Sequence, residues 1–130
     1  MALRGFGTFW AQQRFELVHT SDAHYAETNE RFRVSTREYL YKVVLDKGPE
    51  IRWHWHPQGN SPERRPHIHP SFNLKAHMPS GREALEDVIE SCIELGATPS
   101  CQDYRVRLAE TGGIHKLYRS WSDDPSEYKP

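Results

Sequence analysis

The sequence predicts an α+β fold, a small antiparallel sheet with one clear amphipathic helix (80–96) packed on it and a second short C-terminal helix. Residues 31–46 and 50–56 alternate as strands do, and residues 80–96 have the apolar spacing of a helix buried on one face. Nine prolines and eight glycines, spread along 130 residues, exclude a helical bundle. We therefore expect a single domain over residues 1–121, followed by a loose tail over residues 122–130.

The two alternating segments predict a β-hairpin. Tyr39, Tyr41 and Val43 fall on one side of the first strand, and the turn at residues 46–49 contains Gly48. A shorter alternating run at residues 14–18 predicts an earlier strand. The polar residues 19–30 between these strands predict a loop.

The main helix is predicted by its first residues and its periodicity. Ser80 and Glu83 have the spacing of a capping box, and Gly96 is a typical residue just past a helix end. The apolar residues recur at helical spacing: Leu85, Val88, Ile89, Cys92 and Ile93. Residues 101–111 predict the second, weaker helix.

Charge and composition exclude several classes of protein. The 17 basic and 18 acidic residues nearly cancel, which is not the balance of a protein that binds nucleic acid by charge alone. No apolar run approaches the ~20 residues of a membrane span, so we expect no membrane association. Two cysteines, Cys92 and Cys101, fit reduced thiols, and this favours a cytoplasmic location.

Histidine is the unusual residue of this chain. Five of its eight histidines lie within 24 positions: His54, His56, His67, His69 and His77. Two pairs have the His-x-His spacing, and residues two apart on a strand project from the same face. Residues 51–82 also contain five basic residues and one acidic residue. The candidate functional site is therefore this histidine-rich, basic segment.

One hypothesis is hydrolysis of an RNA phosphodiester. Imidazoles with a pKa near neutrality act as general acid and base, and the candidate catalytic residues are His67, His69, His54 and His56. Cationic side chains would hold the phosphate, and the candidates are Arg52, Arg64, Arg65 and Lys75. The aromatic side chains of the hairpin, if exposed, would stack on bases: Tyr39, Tyr41, Trp53 and Trp55.

Two other hypotheses remain open. A divalent transition metal such as zinc could bind His67 and His69, with His77, Asp46 or Glu50 as a third ligand, and support hydrolysis. Metal-free chemistry needs no cofactor at all. Alternatively, the protein is a non-catalytic interaction module that binds a partner or associates with itself through the aromatic face of the hairpin.

The order of motifs between residues 38 and 95 resembles the TumE-like toxins of bacterial toxin–antitoxin modules. The matching features are Tyr39-Leu40-Tyr41, Gly48, Arg52-Trp53, Pro66-His67-Ile68-His69-Pro70 and the capped helix. The resemblance implies an α+β toxin that acts on RNA or on translation and is neutralised by a cognate antitoxin, with Arg52, His67 and His69 as the residues carried over. Where the family has Asp-Asn after the aromatic residue, this chain has His54-Trp55.

Overall fold

The computed structural model describes residues 1–58 and 63–116, and it confirms the α+β class. The strands are β1 (Ala2–Leu3), β2 (Gly7–His19), β3 (Phe32–Leu45), β4 (Glu50–Trp55), β5 (His67–His69) and β6 (Met78–Pro79). The helices are α1 (Asp22–Thr28), α2 (Leu85–Glu94) and α3 (Tyr104–Lys116). The predicted end of the domain at residue 121 and the predicted tail lie outside the described residues.

The six strands form one antiparallel sheet in which the spatial order equals the chain order. The predicted hairpin is β3–β4, in which Tyr41 lies opposite Trp53. Its turn is closed by the Leu45 amide, which donates to the Pro49 carbonyl at 2.8 Å, and Gly48 has a φ of 106°. A positive φ of this kind favours glycine, so the turn prediction is confirmed.

The core lies between α2 and the aromatic face of the sheet. Val88 and Cys92 of α2 are fully buried in the same cluster as the hairpin aromatics, which are Tyr39, Tyr41, Trp53 and Trp55. None of these four side chains is more than 5% exposed. The exposure that stacking on bases requires is therefore not met, and the same burial contradicts self-association through this face. The Tyr39 hydroxyl accepts from the Glu83 amide, and its burial raises the pKa of Tyr39 to about 12.

Helix α2 is shorter than the predicted range of residues 80–96. Its N-cap is Ala84, whose amide donates to the Asp87 carboxylate at 2.8 Å, while the Ser80 hydroxyl bonds the Gly81 carbonyl. The predicted capping box is therefore wrong, and the N-cap lies four residues after Ser80. The physical reason is tertiary: Arg82 lies over the Trp55 ring at 4.3 Å, which helps to hold the segment before α2 extended against the sheet.

The N-terminal half contains more regular structure than the sequence predicts. Strand β2 extends over Gly7–His19 rather than residues 14–18, and the predicted loop contains α1. The Ser21 side chain caps α1 by accepting from the His24 amide at 3.1 Å. The predicted C-terminal helix is present as α3. Within the described ranges, none of the helices has both the length and the apolar character needed to cross a bilayer.

Candidate functional site

The pairing of β4 with β5 brings both His-x-His pairs to one region of the sheet. His54 lies directly opposite His67, and Arg52 lies opposite His69. Because cross-strand partners share a face, the imidazoles project to the side opposite Trp53 and Ile68, which face the core. The local alternation of both strands therefore creates a histidine cluster on the face that α2 leaves uncovered.

Three imidazoles form the centre of this cluster. The ring centroids of His54 and His67 are 5.2 Å apart, those of His67 and His69 are 4.8 Å apart, and those of His54 and His69 are 6.1 Å apart. One ligand nitrogen from each ring lies within 4.8 Å of the other two. Among the described residues, these three form the group that could hold a metal ion. This group differs from the predicted metal set of His67, His69 and His77 in containing His54 instead of His77.

His77 and His56 flank the centre. The exposed His77 ring lies 4.9 Å from that of His67 and 4.8 Å from that of His69. The His56 ring is 5.9 Å from that of His54, and its Nδ1 contacts the Glu38 carboxylate. Sequence reasoning missed Glu38, although it lies within the predicted strand, one residue before Tyr39, where the pairing of β3 with β4 begins.

Backbone carbonyls orient two of the three central rings. His67 Nδ1 lies 2.7 Å from the Arg65 carbonyl oxygen, and His69 Nδ1 lies 2.9 Å from that of Leu74. A carbonyl oxygen only accepts, so each Nδ1 carries the proton and donates it. The lone pair of each neutral ring is therefore on Nε2.

The second nitrogen of His67 is unusual. His67 is only 1% exposed, and its Nε2 has no hydrogen-bond partner among the described residues. A buried polar atom without a partner costs about 1–3 kcal/mol. Most such atoms in native proteins are satisfied, so this acceptor requires an explanation.

The cluster environment lowers the pKa of two of its imidazoles. Burial, followed by the proximity of His67, His56 and His69, lowers the pKa of His54 to about 4. Burial and the neighbouring His67 also lower the pKa of His69. At neutral pH both rings are uncharged, which is the form that binds metals.

The predicted phosphate-binding residues are dispersed around the cluster. Arg52 lies beside it but donates to the Glu50 carboxylate at 2.9 and 3.2 Å, which lowers the pKa of Glu50. Arg65 donates in the same way to Glu63, at 2.9 Å from both Nε and Nη2. The remaining two candidates, Arg64 and Lys75, are exposed. The local positive charge is therefore smaller than the residue count suggests.

Comparison of the chain with models of protein families, with curated proteins and with solved structures finds no match. The resemblance to TumE-like toxins, and the RNA and antitoxin partners that it implies, therefore stay predictions. The geometry of the histidine cluster is the basis for assigning a function.

Proposed function

We propose that the protein binds a divalent transition metal through His54, His67 and His69 and uses it in hydrolysis. The observation that carries this proposal is the Nε2 atom of His67, which is buried without a hydrogen-bond partner among the described residues, next to two further imidazoles. A metal ion would supply the missing partner for this lone pair. Zinc is the best match, because three neutral imidazoles are a common ligand set for it.

The donor set fits a tetrahedral ion after a small adjustment. Zinc–nitrogen bonds of about 2.0–2.1 Å place tetrahedral ligands ~3.3 Å apart. The nitrogens of the cluster lie within 4.8 Å of one another, so side-chain rotations that close the widest separation by up to about 1.5 Å complete the site. The Nδ1–H groups of His67 and His69 already donate to carbonyls, an arrangement that fixes the tautomer and orientation of metal ligands.

The geometry favours this metal chemistry over metal-free acid–base catalysis. A catalytic imidazole must reach the proton that it transfers, at about 2.6–3.2 Å. His67 is almost completely buried, its Nδ1 donates to a carbonyl, and its Nε2 belongs to a ring that lies against those of His54 and His69. Neither nitrogen of His67 is therefore available to a substrate in this conformation, whereas the half-buried His54 and His69 keep part of the cluster in contact with solvent.

An ion on three neutral ligands would lower the pKa of a water molecule at the fourth position and polarise a substrate oxygen. The uncompensated charge of such a centre favours anionic substrates, and Arg52 lies directly opposite His69. A phosphodiester, as in RNA, is the substrate that we propose. Recognition by base stacking on the hairpin aromatics has no support, because these side chains are buried.

The first test is metal content and affinity. We expect one equivalent of zinc per chain, measured by elemental analysis after dialysis and by competition with a chromophoric chelator. His67→Ala should lower the affinity by more than about 100-fold, since loss of an outer-sphere partner alone costs 10–100-fold. His19→Ala is the matched control, because this exposed histidine lies at the far end of β2. A wild-type protein that binds no transition metal overturns the proposal.

The second test is cleavage of single-stranded RNA by the zinc-loaded protein, with EDTA and the His67→Ala variant alongside. Cleavage that both treatments abolish supports the hydrolytic function. Cleavage that persists in EDTA contradicts the metal-dependent mechanism and supports the metal-free one. Zinc binding without cleavage removes RNA as the substrate.

A further inference from the structure

Strands β2 and β3 continue beyond the rest of the sheet as a two-stranded ribbon. Strand β4 pairs only with residues 39–44 of β3, whereas β2 and β3 remain paired as far as His19 and Phe32. An isolated two-stranded ribbon is marginally stable in water. The contacts made by the two sides of this ribbon therefore matter for its stability.

The ribbon has an inverted distribution of polar and apolar residues. Its large apolar side chains are 53–68% exposed: Phe15, Leu17, Phe32 and Val34. The polar side chains that alternate with them on β3 are at most 7% exposed: Arg33, Ser35 and Arg37. Neighbouring exposed apolar side chains of this kind mark interaction surfaces, whereas single scattered ones do not. The apolar side of the ribbon therefore favours a binding partner.

The outer edge of β2 is also open. Strand β1 pairs only with Gly7 and Thr8, and within the described part of the chain no other strand pairs with this edge. Residues 10–17 are eight consecutive exposed positions. The irregularity in the β2–β3 pairing places its extra residue, Arg37, on β3, so β2 itself continues without interruption. A long regular edge is a template for pairing with another strand.

We propose that a second copy of this chain pairs antiparallel with this edge, with Phe15 opposite Phe15 of the second copy. The sheet then continues through both copies, and the exposed Phe15 rings meet across a two-fold axis. Such an isologous contact is the commonest arrangement of protein dimers.

The charges on either side of Phe15 select this register. A two-fold axis perpendicular to the sheet brings only residues of the same face opposite each other. Centring the pairing on Phe15 places Arg14 opposite Glu16 of the second copy, twice. Centring it one residue away places either two arginines or two glutamates opposite each other, and like charges in that position are destabilising.

The charged groups are already close within one copy. Arg14 Nη1 lies 3.1 Å from the Glu16 carboxylate, so both side chains project from the same side of β2. In the paired edges these two residues and their copies form a network of four alternating charges. The sequence Arg14-Phe15-Glu16 is therefore complementary to itself when read antiparallel.

The test is sedimentation equilibrium of the full chain, with two single charge reversals. We expect the wild type to dimerise at micromolar concentration. Arg14→Glu places two glutamates opposite each other at both positions, and Glu16→Arg does the same with arginines. Each variant alone should raise the dimer dissociation constant by about tenfold or more.

Mixing the two variants tests the register itself. In a mixed dimer, each reversed residue faces an opposite charge, so the mixture should recover the wild-type dissociation constant as a heterodimer. Arg107→Glu, on the exposed side of α3, is the control and should leave the dissociation constant unchanged. Far-UV circular dichroism verifies folding of each variant, and Phe15→Ser provides a neutral disruption of the same edge.

A monomeric wild type at 100-fold higher concentration, about 100 µM or more, overturns the proposal, as does a dimer that all the edge variants leave intact. Single variants that weaken the dimer without recovery on mixing overturn the register centred on Phe15.

Discussion

At the scale of single residues, the site depends on which nitrogen of each imidazole is protonated. The carbonyls of Arg65 and Leu74 hold the protons of His67 and His69 on Nδ1, which leaves the lone pair of each neutral ring on Nε2. Burial and neighbouring imidazoles lower the pKa of His54 and of His69 and keep these two rings neutral. The same features that make the site a good ligand set make it sensitive to acid.

The pKa of His54 gives a prediction for the metal-free protein. This pKa is about 4 in the folded state and near 6.5 in the unfolded chain. Below pH 6.5 the unfolded chain therefore binds a proton that the folded protein does not, and the free energy of unfolding falls as the pH falls towards 4. Above pH 6.5 both states are neutral, so this contribution does not vary.

Urea denaturation in EDTA at pH 7.5, 6 and 5 measures this effect. His54→Asn should reduce the loss of stability between pH 6.5 and 5, because it removes the group whose pKa differs between the states. His19→Asn is the control, and its pH profile should match that of the wild type. An unchanged profile in His54→Asn contradicts the assigned pKa.

At the scale of elements, the close approach of β2 and β3 depends on one glycine. A Cβ atom at Gly7 would lie 2.2 Å from the Val44 carbonyl oxygen and 2.9 Å from the Leu45 Cα. Both atoms belong to the backbone, so the strands themselves would have to separate. This contact lies where β1, β2 and β3 meet.

We therefore expect Gly7→Ala to destabilise the protein by about 1–3 kcal/mol or more, as overpacking does in a close-packed interior. Gly81→Ala is the matched control, because a Cβ atom there meets nothing within 4 Å. It should change the free energy of unfolding by less than about 0.5 kcal/mol. Chemical denaturation of the two variants decides the point, and equal stabilities would contradict the close approach.

The elements also show what the sequence could predict. The β3–β4 hairpin was predictable because alternation and a glycine turn are local signals, and the apolar stripe likewise predicted α2. The start of α2 was not predictable, because two contacts hold the preceding residues extended. They are the contact of Arg82 with Trp55 and that of the Glu83 amide with Tyr39. These contacts join residues far apart in the chain, and no local pattern reveals them.

The candidate site was likewise predictable only in part. The i, i+2 spacing predicted that each His-x-His pair shares a face. The register that places His54 opposite His67 joins strands that are separated by eleven residues, 56–66, and local spacing does not determine it. Local spacing does not predict the burial of His67 or the pairing of Arg52 with Glu50 either. Because of that pairing, the positive charge available to bind phosphate is smaller than the sequence indicates.

At the scale of the whole molecule, metal binding and folding are linked. The three proposed ligands come from two strands that the unfolded chain does not hold together, so zinc should bind the folded state preferentially. At a free zinc concentration 100 times the dissociation constant, we expect about 2.7 kcal/mol of additional stability.

Thermal unfolding with and without zinc measures this linkage. The midpoint should rise in the wild type and in His19→Ala but not in His67→Ala. A rise of equal size in all three proteins would indicate zinc binding elsewhere in the chain.

The chain-order sheet has a consequence for how the protein is made. Each strand pairs with the one synthesised just before it. During translation the three proposed ligands, all within residues 54–69, emerge before α2 and can meet on paired strands while the aromatic face is still uncovered. We expect a metal ion captured at this stage to hold β5 in register until α2 arrives to close the core.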